Sequence, residues 1–67
     1  MSVRIEWMSA TSTQIEIIAP GEDWIGAEHQ EPDQYVLAIS GDECTAIEGD
    51  VDDLKALANR ILDALPA

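Results

Sequence analysis

The sequence has little of several residue types, and each shortage excludes a class of protein. One cysteine, Cys44, cannot form an internal disulfide. One cysteine and one histidine cannot supply the four nitrogen or sulfur ligands of a structural zinc site. Long apolar runs are missing, so no segment is expected to cross a membrane. The 67-residue chain has room for one domain, stabilised by its core, a partner or self-association.

Basic residues are also scarce. Arg4, Lys55 and Arg60 stand against 14 acids, which gives a formal net charge of −11. Phosphate backbones and anionic lipid should repel such a chain, so direct nucleic-acid binding and membrane binding are not expected. A basic protein partner is favoured, because opposite fields speed encounter and sort partners. The alternative is that the charge only keeps a small protein in solution.

The overall composition is that of a globular protein, with 46% hydrophobic and 25% charged residues. The first residues, MSVRIEWMS, lack the apolar region of a secretion signal. A single cysteine fits a reducing compartment. These features predict one cytoplasmic domain over residues 1–67.

Alternation of apolar and polar residues predicts four strands in two hairpins. Residues 3–8 and 14–19 alternate, and a turn of small and hydroxyl residues joins them. Residues 35–40 are apolar on both faces, which is typical of a central or doubly covered strand. Residues 44–48 return beside them through a short turn that contains Gly41.

Residues 20–34 are the least regular stretch, with two prolines, two glycines and five acids. A loop of this length without its own structure is uncommon in a compact domain. Trp24 and Ile25 could form a short strand, Trp24 could anchor the loop over the core, or the loop could be functional.

The last segment predicts an amphipathic helix over residues 51–65. At about 100° per residue its apolar side chains share one face. They are Val51, Leu54, Leu57, Ala58, Ile61, Leu62 and Leu65. Asp50 is placed as the N-cap, and Asp53 can reach back to form a capping box. Pro66 ends the helix. The predicted fold class is α+β, with the order β-β-loop-β-β-α and a four-stranded antiparallel sheet under one helix.

One helix can cover only one face of such a sheet, so the other face is expected to be exposed in a monomer. The residues placed there are Met8, Ile18, Val36, Ala38 and Ile47. Exposed apolar patches usually mark an interface, and a two-fold dimer is the commonest way to cover one. The first hypothesis is therefore a non-enzymatic protein-interaction module that forms a homodimer.

The aromatic residues comprise two tryptophans, one tyrosine and no phenylalanine. Trp7 continues the face of Val3 and Ile5 and is expected in the core. Trp24 lies in the acidic stretch GEDWIG. It is interpreted either as a lid on the core or as an exposed aromatic anchor for a protein partner.

The residues that could carry chemistry form no recognisable catalytic or metal-binding set. Capping and the helix dipole explain the acids between Asp50 and Asp53. A calcium loop that begins at Asp42 or Asp50 would lack the required glycine and glutamate. His29 and Cys44 could form a nucleophile pair, but no third group or pocket is indicated. No catalytic residue, cofactor or metal is predicted.

The charge suggests a second function, an inhibitor that imitates nucleic acid and blocks a basic nucleic-acid-binding partner. Its acids would lie within residues 22–33 and 42–53 and would stand in for phosphates. In size and charge the chain resembles accessory proteins of phages, mobile elements or bacterial genomes, although no motif carries this resemblance.

Overall fold

The computed structural model describes residues 5, 7–41 and 43–67. The elements are β1 (Gln14–Ile18), a short 3₁₀ helix (Ala27–His29), β2 (Tyr35–Ser40), β3 (Cys44–Gly49) and α1 (Val51–Ala64). The three strands form an antiparallel sheet in the order β1-β2-β3. In the part of the chain described, no helix has the length and apolar character needed to cross a membrane.

The prediction of a four-stranded sheet is wrong, because the described part of the chain forms a sheet of three strands. Much of the predicted strand at 3–8 lies outside the described residues, as does Asp42. The described residues of that segment, Ile5, Trp7 and Met8, belong to no strand. Ile5 is 66% exposed and Trp7 is 88% exposed, so neither side chain joins the core that alternation predicted for it.

The turn that precedes β1 gives a physical reason for this difference. The Ser9 carbonyl accepts hydrogen bonds from the backbone N–H groups of Ser12 and Thr13, both at 3.1 Å. The Thr13 hydroxyl donates to the Ala10 carbonyl at 3.3 Å. Hydroxyl-rich segments satisfy their polar groups locally in this way and compete with strand pairing. Residues 9–13 thus form a hydrogen-bonded turn, and the described residues before it belong to no strand.

Strand register divides the apolar residues between two faces of the sheet, because directly opposed residues point to the same side. Ile18 pairs with Val36, and these two share a face with Ala38. We call this side the covered face. Ile17 pairs with Leu37, which pairs with Ile47 on β3. We call this second side the open face, and its residues are Ile15, Ile17, Tyr35, Leu37, Ile39, Thr45 and Ile47.

The core lies on the covered face. Ile18 and Val36 are 2% exposed and Ala38 is 7% exposed, and the half-buried Trp24 packs against them. The expectation that these three residues are exposed in a monomer is therefore wrong. The physical reason is that the connection between β1 and β2 folds back over them and buries them.

Helix α1 covers little of the sheet, which it contacts mainly along β3. Leu54 and Leu57 are half-buried, but the rest of the apolar helix stripe remains exposed. Its exposed members are Val51, Ala58, Ile61, Leu62 and Leu65. The helix therefore leaves both its own apolar stripe and much of the open face in contact with solvent.

A capping box starts the helix. The Asp50 carboxylate accepts from the Asp53 backbone N–H at 2.7 Å, and the Asp53 carboxylate accepts from the Asp50 N–H at 3.1 Å. Gly49 is buried beside this box, where an added Cβ would lie 2.9 Å from the Asp53 Cβ. The small residue at position 49 thus lets the end of β3 approach the first turn of the helix.

Replacement of the cap should weaken the fold by a measurable amount. Asp50→Ala removes the acceptor for the Asp53 N–H and should lower the free energy of unfolding by about 1 kcal/mol. Urea denaturation followed by circular dichroism, at one fixed chain concentration, measures the change. Asp50→Asn keeps a side-chain oxygen at the cap and should lose much less. An equal loss in both variants would show that the cap hydrogen bond does not stabilise the helix.

Candidate functional site

The connection between β1 and β2 carries Trp24, whose side chain is held in place by packing and by a hydrogen bond. Its ring packs on the core of the covered face, and its indole Nε1 donates to Gln30 Oε1 at 2.7 Å. Trp24 is half-buried, as the core-lid interpretation requires. An exposed aromatic anchor would have neither this packing nor this hydrogen bond.

Gln30 ties the whole connection together. Besides accepting from Trp24, its side-chain amide donates to the Gln34 carbonyl at 2.7 Å and to the Ala19 carbonyl at 3.4 Å. One side chain thus joins the beginning, the middle and the end of this segment. Sequence reasoning missed this role, because a lone glutamine in a polar loop carries no pattern that indicates three partners.

A second contact fixes the far end of the connection to the sheet. The Glu31 backbone N–H donates to a carboxylate oxygen of Glu48, on β3, at 2.8 Å. Together with the Trp24 packing, this bond holds the segment across the covered face. We call residues 19–34 the Trp24 loop.

The Trp24 loop does not reach over the whole covered face, and a groove of about 460 Å³ remains between it and β3. Trp24, Gly26 and Gln30 form the loop side of the groove, while Val36 and Ala46 lie on the sheet side. Ile25 also lines the groove, although 96% of its surface is exposed. The small side chains of β3 on this face, Cys44 and Ala46, leave the space unfilled.

His29 and Cys44, the residues considered as a nucleophile pair, both line this groove. No hydrogen bond joins them: His29 Nε2 lies 3.4 Å from Glu28 Oε1, and both of these side chains are more than 80% exposed. Cys44 is a free, exposed thiol. The structure thus brings the two residues to one site but gives them none of the mutual orientation that nucleophilic catalysis needs.

The acids are all exposed in the described part of the chain, and several have structural partners. Glu48 holds the Trp24 loop, while Asp50 and Asp53 form the capping box. Among the described residues, no group of three or more His, Cys, Asp or Glu side chains is arranged to hold a metal ion.

The open face is a second candidate surface, and its three strands present no charged side chain on it. Ile15 is 68% exposed and Ile17 is 53% exposed, while Leu37, Ile39 and Ile47 are half-buried. A cleft of about 290 Å³ joins this face to the start of the helix and is lined by Ile17, Tyr35, Val51, Leu54 and Lys55. The open face is therefore continuous with the start of the helix stripe, at Val51 and Leu54.

The residues predicted to form an interface do not gather on this region. Ile18, Val36 and Ala38 lie in the core, and Trp24 covers them. Met8 is 39% exposed and lies near Gly41, at the turn between β2 and β3. Ile47 lies on the open face, opposite Leu37. The alternation of residues 35–40 correctly indicates two apolar faces but does not indicate which one the loop covers.

The chain as a whole exposes more surface than a closed domain of its size. Its accessible area is 5760 Å², against about 4,200 Å² expected for a folded monomer of 7.3 kDa. Its radius of gyration is 13.3 Å, against about 11 Å for a compact domain of this length. Most of the exposed large apolar side chains lie on the open face or the helix stripe, namely Ile15, Ile17, Val51, Ile61, Leu62 and Leu65.

Comparison of the chain with protein-family models, with curated proteins and with solved structures found no match.

A methyl group added at Gly26 should disturb the Trp24 lid. A Cβ there would lie 2.5 Å from Trp24 Cη2, so the ring would have to move off the core. Gly26→Ala should therefore lower the free energy of unfolding by about 1–3 kcal/mol. Urea denaturation monitored by Trp24 fluorescence, in a Trp7→Phe background, measures this change.

Gly41→Ala is the matched control, because an added Cβ there meets its nearest neighbour, Met8 Sδ, at an ordinary 3.5 Å. This variant should change the stability by less than about 1 kcal/mol. If Gly26→Ala were as stable as Gly41→Ala, the close approach of Trp24 to Gly26 would not contribute to the fold.

Proposed function

We propose that this chain is a non-enzymatic protein-interaction module that forms a homodimer through its open face and helix stripe. The observation that supports this most strongly is the exposed apolar surface of the open face and the helix stripe, on which the strands place no charged side chain. A core of Ile18, Val36 and Ala38, with Trp24 beside it, is small for a domain that has no disulfide. Small domains of this kind commonly gain the missing stability by association.

The size of the surplus fits a second copy of the chain. The accessible area exceeds the expectation for a monomer by about 1,600 Å². Obligate homodimers bury about 1,000–2,500 Å² on each partner, and their interfaces are more apolar than those of transient complexes. Burial of the open face and the helix stripe in a dimer would reduce this surplus.

The distribution of charge also favours a second copy at this surface. Two chains that each carry a formal charge of −11 repel one another, so they can associate only where the acids are absent. The open face meets this condition, since its strand residues are Ile, Leu, Tyr and Thr. A basic partner would gain nothing from its charge at such a surface, whereas an identical uncharged surface would be complementary.

The acidic inhibitor that imitates nucleic acid is the alternative, and the exposure of the acids is the observation that favours it. Glu48, Asp50 and Asp53 already accept internal hydrogen bonds, and Lys55 and Arg60 interrupt the acids on the helix. Salt separates the two functions. Salt screens the repulsion between acidic chains and should strengthen the dimer, whereas it should weaken competition for a basic partner.

Sedimentation equilibrium at tens of micromolar should give twice the chain mass of 7.3 kDa. Ile17→Glu places a charge on the open face, and burial of an unpaired charge at an interface is costly. It should raise the dissociation constant of the dimer by about a hundredfold or more, since each factor of ten corresponds to about 1.4 kcal/mol. Leu62→Glu, on the helix stripe, should act in the same direction.

Gln14→Glu is the matched control, because it adds one negative charge to the same strand on the opposite side of the sheet. Its dissociation constant should stay close to that of the unchanged chain. If Gln14→Glu weakened the dimer as much as Ile17→Glu does, association through the open face would be refuted. The same would follow if the unsubstituted chain were a monomer. A circular dichroism spectrum of each variant shows whether the monomer remains folded.

A further inference from the structure

We infer that the groove between the Trp24 loop and β3 binds an extended segment of a basic partner protein, which inserts one aliphatic side chain. The inference rests on the proposed role of the chain as an interaction module, but it does not depend on dimerisation. The groove and the open face lie on opposite sides of the sheet, so both can be occupied in the same molecule.

The lining of the groove determines the kind of side chain that enters. Trp24, Val36 and Ala46 provide apolar contacts, and the exposed Ile25 stands at the same site. A volume of about 460 Å³ lies within the range of sites that hold ligands, about 300–1,000 Å³. An aliphatic side chain of a partner would cover Ile25 and fill the space above Ala46.

The charges around the groove determine what flanks that side chain. Glu48 lines the groove, and so does His29, whose Nε2 lies 3.4 Å from a carboxylate oxygen of Glu28. The basic residues in the described part of the chain, Lys55 and Arg60, lie on α1 and not in the groove. A lysine or arginine beside the inserted residue would therefore meet Glu48 or Glu28, and no lysine or arginine of the described chain lies in the groove.

The groove is preorganised, which reduces the entropic cost of binding. Trp24 forms one wall, and its position is fixed by the hydrogen bond to Gln30 and by packing on the core. Glu48 holds the loop at its other end through the Glu31 N–H. A partner would thus find the site already formed.

The open form of the groove favours a peptide segment over a small apolar molecule. The site is open to solvent along one side, so a small ligand would leave much of its surface in water. A peptide chain can continue beyond the groove and place its flanking side chains near the acids. This arrangement uses both the apolar lining and the charge, whereas a small apolar ligand would use only the lining.

The test uses the complete chain, labelled with nitrogen-15, and three pentapeptides at low salt. The first peptide has a central leucine between two pairs of lysines, the second has serine in place of leucine, and the third has glutamates in place of the lysines. The first should shift the Trp24 indole signal and the Ile25 and Ala46 amide signals. The serine peptide should bind about ten- to a hundredfold more weakly, since it lacks the apolar side chain.

Two neighbouring residues of β3 provide matched variants. Ala46→Glu fills the groove, and Thr45→Glu adds the same charge on the open face, opposite Ile39. If charge alone attracted the lysine peptide, both variants would bind it at least as well as the unchanged chain. Occupation of the groove predicts instead that Ala46→Glu binds about tenfold more weakly or worse, while Thr45→Glu binds normally.

Several results would overturn the inference. They are equal binding of the leucine and serine peptides, undiminished binding by Ala46→Glu, and signal shifts that spare Trp24, Ile25 and Ala46. The same variants distinguish peptide binding from dimerisation. Thr45→Glu should weaken the dimer and leave peptide binding unchanged. Ala46→Glu should weaken peptide binding and leave the dimer unchanged. If the chain were monomeric but bound the leucine peptide at this groove, the inference about the groove would stand and the proposed dimer would be wrong.

Discussion

The packing of Trp24 on Ile18, Val36 and Ala38 is the contact on which the rest of the structure depends. It buries the only apolar cluster that is closed within the described chain, and it does so with a loop rather than with the helix. A buried indole needs a partner for its N–H, and Gln30 provides one while it also binds the two ends of the loop. The sheet, the loop and the groove therefore form one unit.

This arrangement leaves the two faces of the sheet in different states. The covered face is closed over β1 and β2 and ends in a groove beside β3, where Glu48 lies next to an apolar lining. The open face has no charged strand residues and is only partly shielded by the first turns of α1. A surface without charge suits a second copy of the same acidic chain. An apolar groove beside an acid suits a basic partner protein. We therefore propose a different partner for each of the two faces.

Local patterns in the sequence were sufficient to locate three strands and the helix. The segments predicted at 14–19, 35–40, 44–48 and 51–65 correspond closely to β1, β2, β3 and α1. The capping box follows from Asp50 and Asp53 alone, because both of its hydrogen bonds lie within one turn. Alternation did not predict the structure of Ile5, Trp7 and Met8, since it shows that a segment is suited to a strand but not that a partner strand exists.

The covered side of the sheet could not be predicted in the same way. That choice depends on contacts between residues distant in sequence, such as Trp24 with Val36 and Glu31 with Glu48. The sequence did not indicate Ile25 and Ala46 as binding residues for a related reason. The groove that they line exists because the Trp24 loop ends before it covers β3, and this depends on long-range contacts. The prediction that Ile18, Val36 and Ala38 are uncovered was thus wrong, because the Trp24 loop covers them. The helix, which was expected to cover the opposite face, leaves Ile15 and Ile17 exposed there.

The most direct test of the account is a measurement of contacts between two copies of the chain. A sample that mixes carbon-13-labelled and unlabelled chains allows nuclear Overhauser effects between protomers to be selected. The account predicts such effects between the methyl groups of Ile15, Ile17, Leu37, Ile47 and Leu62 and the protons of the second chain. Their absence at concentrations where the chain sediments as a dimer, or their restriction to the groove residues Ile25 and Ala46, would contradict burial of the open face by self-association.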